Sequence, residues 1–147
     1  MSQDVDVLRS DFDLEFTYTR TYGPVLSKFF TELKNQKVVG IKGSNGQVIC
    51  PAQEYDPITS ETLSEFVDLT DTGVIQTYAW VNDPLDKHPL DKPFAWALIK
   101  IDGADTAMLH AVDAGEKANI KAGTKVKIRW AENRVGMITD IACFELA

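Results

Sequence analysis

The sequence predicts a mainly β protein, a small and strongly curved barrel preceded by one helix and a short hairpin segment. Three observations carry that reading. The second half holds five or six short stretches of strand character, separated by turn residues, with a single longer interruption. Only residues 24–35 repeat their apolar side chains at helical spacing. No internal repeat is present, and 147 residues with 44% apolar and 25% charged side chains suit a globular chain of one ordinary domain with a small appendage.

Residues 1–16 are acid-rich, with Asp4, Asp6, Asp11, Asp13 and Glu15 against Arg9, and are expected to form a loose arm. A short aromatic and threonine stretch, residues 17–22, leads into Gly23-Pro24. Proline is favourable just inside a helix start, because its missing N–H would have been unpaired there. Leu26, Phe29, Phe30 and Leu33 then recur at helical spacing opposite Lys28, Glu32 and Lys34, which predicts an amphipathic helix over 24–35. Its wide phenylalanine stripe is expected to pack within the chain.

Residues 37–62 differ in character. Val38-Val39 and Val48-Ile49 flank the tight-turn sequence Gly43-Ser44-Asn45-Gly46, which predicts a hairpin, and Pro51 and Pro57 break regular structure beyond it. So short a segment buries little apolar area alone, so Val39, Ile41, Val48, Ile49 and Tyr55 need the barrel or a partner surface, and a partner is the expectation.

The rest reads as strands at 66–69, 74–81, 94–101, 106–112, 124–131 and 138–146. A turn lies at 70–73, and residues 82–93, with Pro84, Pro89 and Pro93, form an extended exposed loop. Residues 94–101 are apolar on both faces, as in a strand covered on two sides. Residues 102–104 turn, and 114–123 hold a turn or a single helical turn. Residues 124–131 alternate, with Val126, Ile128 and Trp130 on one face and Lys125, Lys127 and Arg129 on the other.

Composition also bounds the chemistry. No apolar run approaches the roughly 18 residues that span a bilayer, and residues 1–7 lack a basic start and an apolar stretch, so a cytoplasmic protein without membrane contact is expected. A net charge of −7 argues against a general nucleic-acid binder. Cys50 and Cys143 lie far apart and are expected to be small buried or half-buried thiols. His88 and His110 have no ligand-type neighbour at metal spacing, and HExxH, GxSxG, P-loop and CxxC patterns are missing from the sequence.

Several phrases resemble one family. They are Phe16-Thr17-Tyr18 with Gly23, the tract from Ala97 through Asp102-Gly103-Ala104-Asp105-Thr106, and the ending from Val135-Gly136-Met137 to Cys143-Phe144. The chain is similar to the thiolase-associated zinc-ribbon and OB-fold proteins from about residue 16 onward. That resemblance implies an N-terminal helix, a rubredoxin-like ribbon with two paired-cysteine knuckles, and a five-stranded OB-fold barrel. On this division residues 1–16 are the acidic arm, 17–62 the helix with a degenerate ribbon, and 63–147 the OB-fold domain.

The knuckles depart from the family. The first falls on residues 43–46 without cysteine, and the second on Asp56-Pro57-Ile58-Thr59, with Asp56 and Thr59 where thiolates are expected. One carboxylate binds zinc poorly alone, so the ribbon is expected to be metal-free.

The resemblance further implies a noncatalytic accessory subunit of a thiolase-like or aldolase-like enzyme, a hetero-oligomer in which acyl-CoA is a shared ligand, in acetoacetyl-CoA, fatty-acid or steroid side-chain metabolism. Residues 117–134 carry +5 while the remainder carries −12, so the strand face of Lys125, Lys127 and Arg129 is a candidate landing place for the phosphates of coenzyme A. A solvated face is the plainer alternative. Tyr78, Trp80, Phe94 and Trp96, at period two on neighbouring strands, form a candidate stacking surface, with Trp80 and Trp96 as cofactor contacts; core or partner packing is the alternative. Two other classes compete: a single-stranded nucleic-acid binder, and an enzyme using Asp105, His110 or Asp140 as acid–base groups without a paired nucleophile.

Overall fold

Pro24 opens helix α1 (Pro24–Lys34) in a computed structural model that describes residues 9–147; Asp4 and Asp6 of the expected arm lie outside the described residues. The first free N–H groups of α1, those of Val25 and Leu26, both donate to Glu54 Oε1 at 3.0 Å, and a carboxylate there also complements the helix dipole. Gly23 makes this possible, since a Cβ at that position would collide with the Glu54 carboxylate. Val25, Phe29 and Leu33 are buried within the chain, as the periodicity predicts.

Strands β1 (Val38–Lys42) and β2 (Val48–Ile49) form the expected hairpin, with Ile41 opposite Ile49. Strand β3 (Phe66–Leu69) pairs with the other edge of β1, Val38 opposite Leu69, giving the sheet order β2-β1-β3. The sequence reading puts residues 66–69 with the barrel strands; their pairing puts them in the ribbon sheet. β1 is buried along most of its length, so the backbone groups on both of its edges need partners, and a two-residue β2 serves only one.

The expectation that the ribbon keeps its apolar residues for a partner is also corrected. Val39, Ile41 and Ile49 are 2%, 0% and 6% exposed and join one core with the α1 stripe and the barrel interior; of the five residues named, Val48 is half-buried and Tyr55 alone is exposed. Covering the ribbon from within requires no second chain.

Strands β4 (Thr72–Val81), β5 (Phe94–Ile101), β6 (Met108–Asp113), β7 (Lys125–Trp130) and β8 (Ile141–Leu146) close a barrel in the order β4-β5-β6-β8-β7. Every neighbouring pair is antiparallel except β6 and β8. Five strands closed in this way are the OB-fold the resemblance implies. Ala95, Ala97 and Ile99 of β5 point inward, and the small alanines leave room for the buried Phe144. Residues 117–119 form the single helical turn expected in that region. The expected last strand instead begins with a 3-10 turn, Ile138–Asp140, because the Asp140 carboxylate gathers the N–H groups of Val135, Gly136 and Met137 at 2.8, 2.8 and 3.3 Å.

The Asp102–Thr106 tract joins ribbon to barrel. Asp105 Oδ2 accepts from the Val48 N–H at 2.8 Å, and its own N–H donates to the Val48 carbonyl at 2.8 Å. Thr106 Oγ1 accepts from the Cys50 N–H at 2.8 Å and donates to the Cys50 carbonyl at 2.9 Å.

Candidate functional site

Strand register separates the four aromatic residues that the sequence groups together. Ala79 faces Trp96 and Trp80 faces Ala95, so Trp80 shares the inward face of β5 with Ala95, while Trp96 lies on the outer face. Tyr78 and Trp80 accordingly pack on the barrel core, and Phe94 and Trp96 belong to a second, outer cluster with Ala111, Cys143, Val81 and Leu90. A stacking surface containing both Trp80 and Trp96 is therefore excluded. Period two along each strand is satisfied, but a direct cross-strand neighbour sets the face.

The proline-rich loop, residues 82–93, lies over this outer cluster. The His88 ring meets Phe94 edge-on with centroids 5.5 Å apart, and Lys92 Nζ reaches Asp113 Oδ2 at 3.1 Å. The loop holds itself partly through the Leu85 N–H, which donates to His88 Nδ1 at 3.0 Å.

Beside that loop the barrel is open. The parallel pairing of β6 and β8 covers only Val112 with Phe144 and Asp113 with Glu145. Beyond it, Leu109 and His110 of β6 and Ile141 and Ala142 of β8 line a cleft of about 500 Å³, with Trp96 and Lys87 on the loop side and Ile138 and Thr139 opposite. That volume is in the range of small-molecule sites, and the position, between two OB loops and the central strands, is where such barrels bind ligands. The buried Asp140, 0% exposed, fixes the wall that carries Ile138 and Thr139.

His110 is the polar group of the cleft floor. It is 8% exposed, its ring stands edge-on to Phe144 at 5.6 Å, and its Nδ1 accepts from the Ala111 N–H at 2.9 Å. Burial holds its pKa below the ordinary 6.5, so the imidazole is neutral at neutral pH. The cleft therefore offers one aromatic plane, an apolar wall, a neutral imidazole and a lysine. Sequence reasoning singled out Trp96 and His110 but missed Lys87, Leu109, Ile138 and Thr139. These come from separate segments, and only Lys87, in the proline-rich loop, carried a signal in the sequence.

The basic strand face lies elsewhere on the outer surface and is largely engaged. Lys127 Nζ pairs with Glu145 at 3.3 Å, and Arg129 bridges Asp113 at 3.0 Å and Glu145 at 3.6 Å. These acids come from β8 and β6, out of reach of a reading along one strand. Lys125 is exposed at the start of β7.

The two knuckle turns meet at Asp56. Its carboxylate, 3% exposed, accepts from the Ser44 N–H of the first turn at 2.7 Å and from the Ile58 and Thr59 N–H groups of the second at 2.7 and 2.9 Å. Those hydrogen bonds, Ser44 foremost and then Thr59, hold its pKa at about 2 against burial. Gly43 admits the carboxylate, since a Cβ there would lie 3.1 Å from Oδ2. One anion thus ties the two turns together. Among the described residues no group of three or more His, Cys, Asp or Glu side chains is placed to hold a metal.

Asp105 and Asp140, weighed as acid–base groups, are occupied in binding backbone N–H groups. Cys50 and Cys143 are free and buried as expected, and burial pushes the Cys50 thiol up to about 12.

Barrel order and the single parallel pair define an OB-fold domain. Residues 66–131 match the family described as ChsH2, C-terminal OB-fold domain. A solved protein of unknown function from the DUF35 family of Sulfolobus solfataricus is 27% identical, with a TM-score of 0.59, covering 72% of this chain and 78% of its own. A chain of the Ltp2-ChsH2(DUF35) aldolase is similar at a TM-score of 0.62, over 87% of this chain and 98% of its own; at 16% identity that likeness shows the fold alone. No curated protein matches. Among the described residues no helix is long and apolar enough to cross a membrane.

Proposed function

We propose that this chain is a noncatalytic accessory subunit of a thiolase-like or aldolase-like enzyme acting on acyl-CoA. The observation that carries the reading is the match of residues 66–131 to the ChsH2 C-terminal OB-fold family. The structural neighbour within an Ltp2-ChsH2 aldolase is consistent with it. The cleft supports binding rather than catalysis, because its neutral His110 has no hydroxyl or thiol nucleophile hydrogen-bonded to it.

The coenzyme A thioester is assigned to the cleft, with Trp96 against its apolar or adenine portion and Lys87 toward phosphate. Lys127 and Arg129 would have to leave Glu145 and Asp113 to take phosphate, so among the three basic strand residues Lys125 is the more available. Elemental analysis of the purified chain is expected to find no stoichiometric zinc.

Co-expression with the catalytic subunit, followed by calorimetric titration of the complex with acetyl-CoA, tests the reading. A stable complex is expected, whose affinity for acetyl-CoA falls about tenfold in Trp96→Ala and Lys87→Glu. Lys125→Glu with Arg129→Glu is expected to matter less. Equal affinity in all four proteins removes the cleft assignment, and a chain that turns over acyl-CoA alone removes the accessory role.

A further inference from the structure

Residues 9–22 are without regular structure and exposed throughout, unlike the rest of the described chain. Within them Asp11-Phe12-Asp13-Leu14-Glu15-Phe16-Thr17-Tyr18-Thr19 alternates strictly between polar and large apolar side chains. Phe12, Leu14, Phe16 and Tyr18 are 81%, 67%, 74% and 83% exposed, the most water-facing large apolar group among the described residues. Among the described residues no backbone–backbone hydrogen bond involves residues 9–22. The stretch is attached at its end, where Tyr22 stands edge-on to Phe30 of α1 at 5.1 Å.

Period two is the strand period, so in extended form the four apolar side chains share one face, about 7 Å apart, and Asp11, Asp13 and Glu15 the other. A free chain gains nothing by leaving such a face in water. We infer that residues 11–19 are a docking strand that adds to an unpaired sheet edge of the catalytic subunit, seating Phe12, Leu14, Phe16 and Tyr18 in apolar pockets there. Strand addition supplies partners to the idle backbone groups, and alternate side chains give specificity.

Charge decides against a second copy of this chain. Three carboxylates along the outer face of the strand would meet a protein of net charge −7, so the receiving edge is flanked by lysine or arginine on a different polypeptide. The inference rests on the accessory-subunit reading and names the element that makes the joint.

Hydrogen exchange on the full chain, alone and in complex with the co-expressed catalytic subunit, is the test. Amides 11–19 are expected to exchange freely in the isolated chain and to slow about 100-fold in the complex. Phe12→Ser with Phe16→Ser, and separately Leu14→Pro, are expected to weaken the complex tenfold or more. Thr17→Ser, on the other face, is expected to leave it unchanged. Because the segment contributes nothing to the core, these variants fold. A complex of undiminished affinity with residues 11–19 still exchanging freely overturns the docking strand and leaves the accessory reading standing. Absence of any complex overturns both. Protection already present in the isolated chain, or gained on self-association, overturns the inference in favour of a contact within or between copies of this chain.

Discussion

The ribbon and the barrel are stabilised in different ways although they share one core. The barrel closes by continuous strand ladders around side chains such as Ile75, Ile99 and Phe144, all essentially inaccessible to water. The ribbon has a two-residue strand at one edge and two turns held by a single carboxylate, and it is joined to the barrel through Asp105 and Thr106. A region too small for a core of its own can persist when polar pins set its turns and a neighbour supplies apolar cover.

Removing Phe144, in the barrel, is expected to have the largest effect. Phe144→Ala should cost about 3–5 kcal/mol, read as a lower urea midpoint for the whole chain. Asp56→Ala should act locally. Residues 43–46 and 57–60 should lose hydrogen-exchange protection while β4–β8 keep theirs, and equal loss in both regions would mean that the ribbon and barrel open as one unit. Thr106→Val removes two hydrogen bonds to Cys50 and should cost about 1–2 kcal/mol, loosening the ribbon from the barrel.

Acid should distinguish the two regions. His110 has a folded pKa below 6.5, so the barrel binds fewer protons than the unfolded chain, and stability falls as pH drops below 6.5. His110→Gln should flatten that part of the profile. For Asp56 the folded value is about 2 against 3.8, so its contribution is complete above 3.8 and is lost as pH falls through about 2. Denaturation followed across both ranges, with ribbon amides monitored separately, checks the order. The smallest effect belongs to the exposed pair Lys42–Glu65 at 3.0 Å, where Lys42→Ala should change stability by under about 0.5 kcal/mol.

Hydropathy periodicity and turn residues together located α1, the β1–β2 hairpin and the barrel strands, because helical and extended backbones space their buried side chains differently and glycine and proline mark the breaks between them. The residue identities at the two knuckles likewise established that thiolates are missing there. Tertiary structure decided where those pieces meet. Only pairing could move residues 66–69 to the ribbon, turn Trp80 away from Trp96, and bring Glu145 and Asp113 onto Lys127 and Arg129. The cleft arises where β6 and β8 stop pairing, and its walls come from segments as far apart as Lys87 and Ala142. Local sequence carries the backbone period; which residues face one another across a barrel depends on register and closure, and these are properties of the assembled sheet.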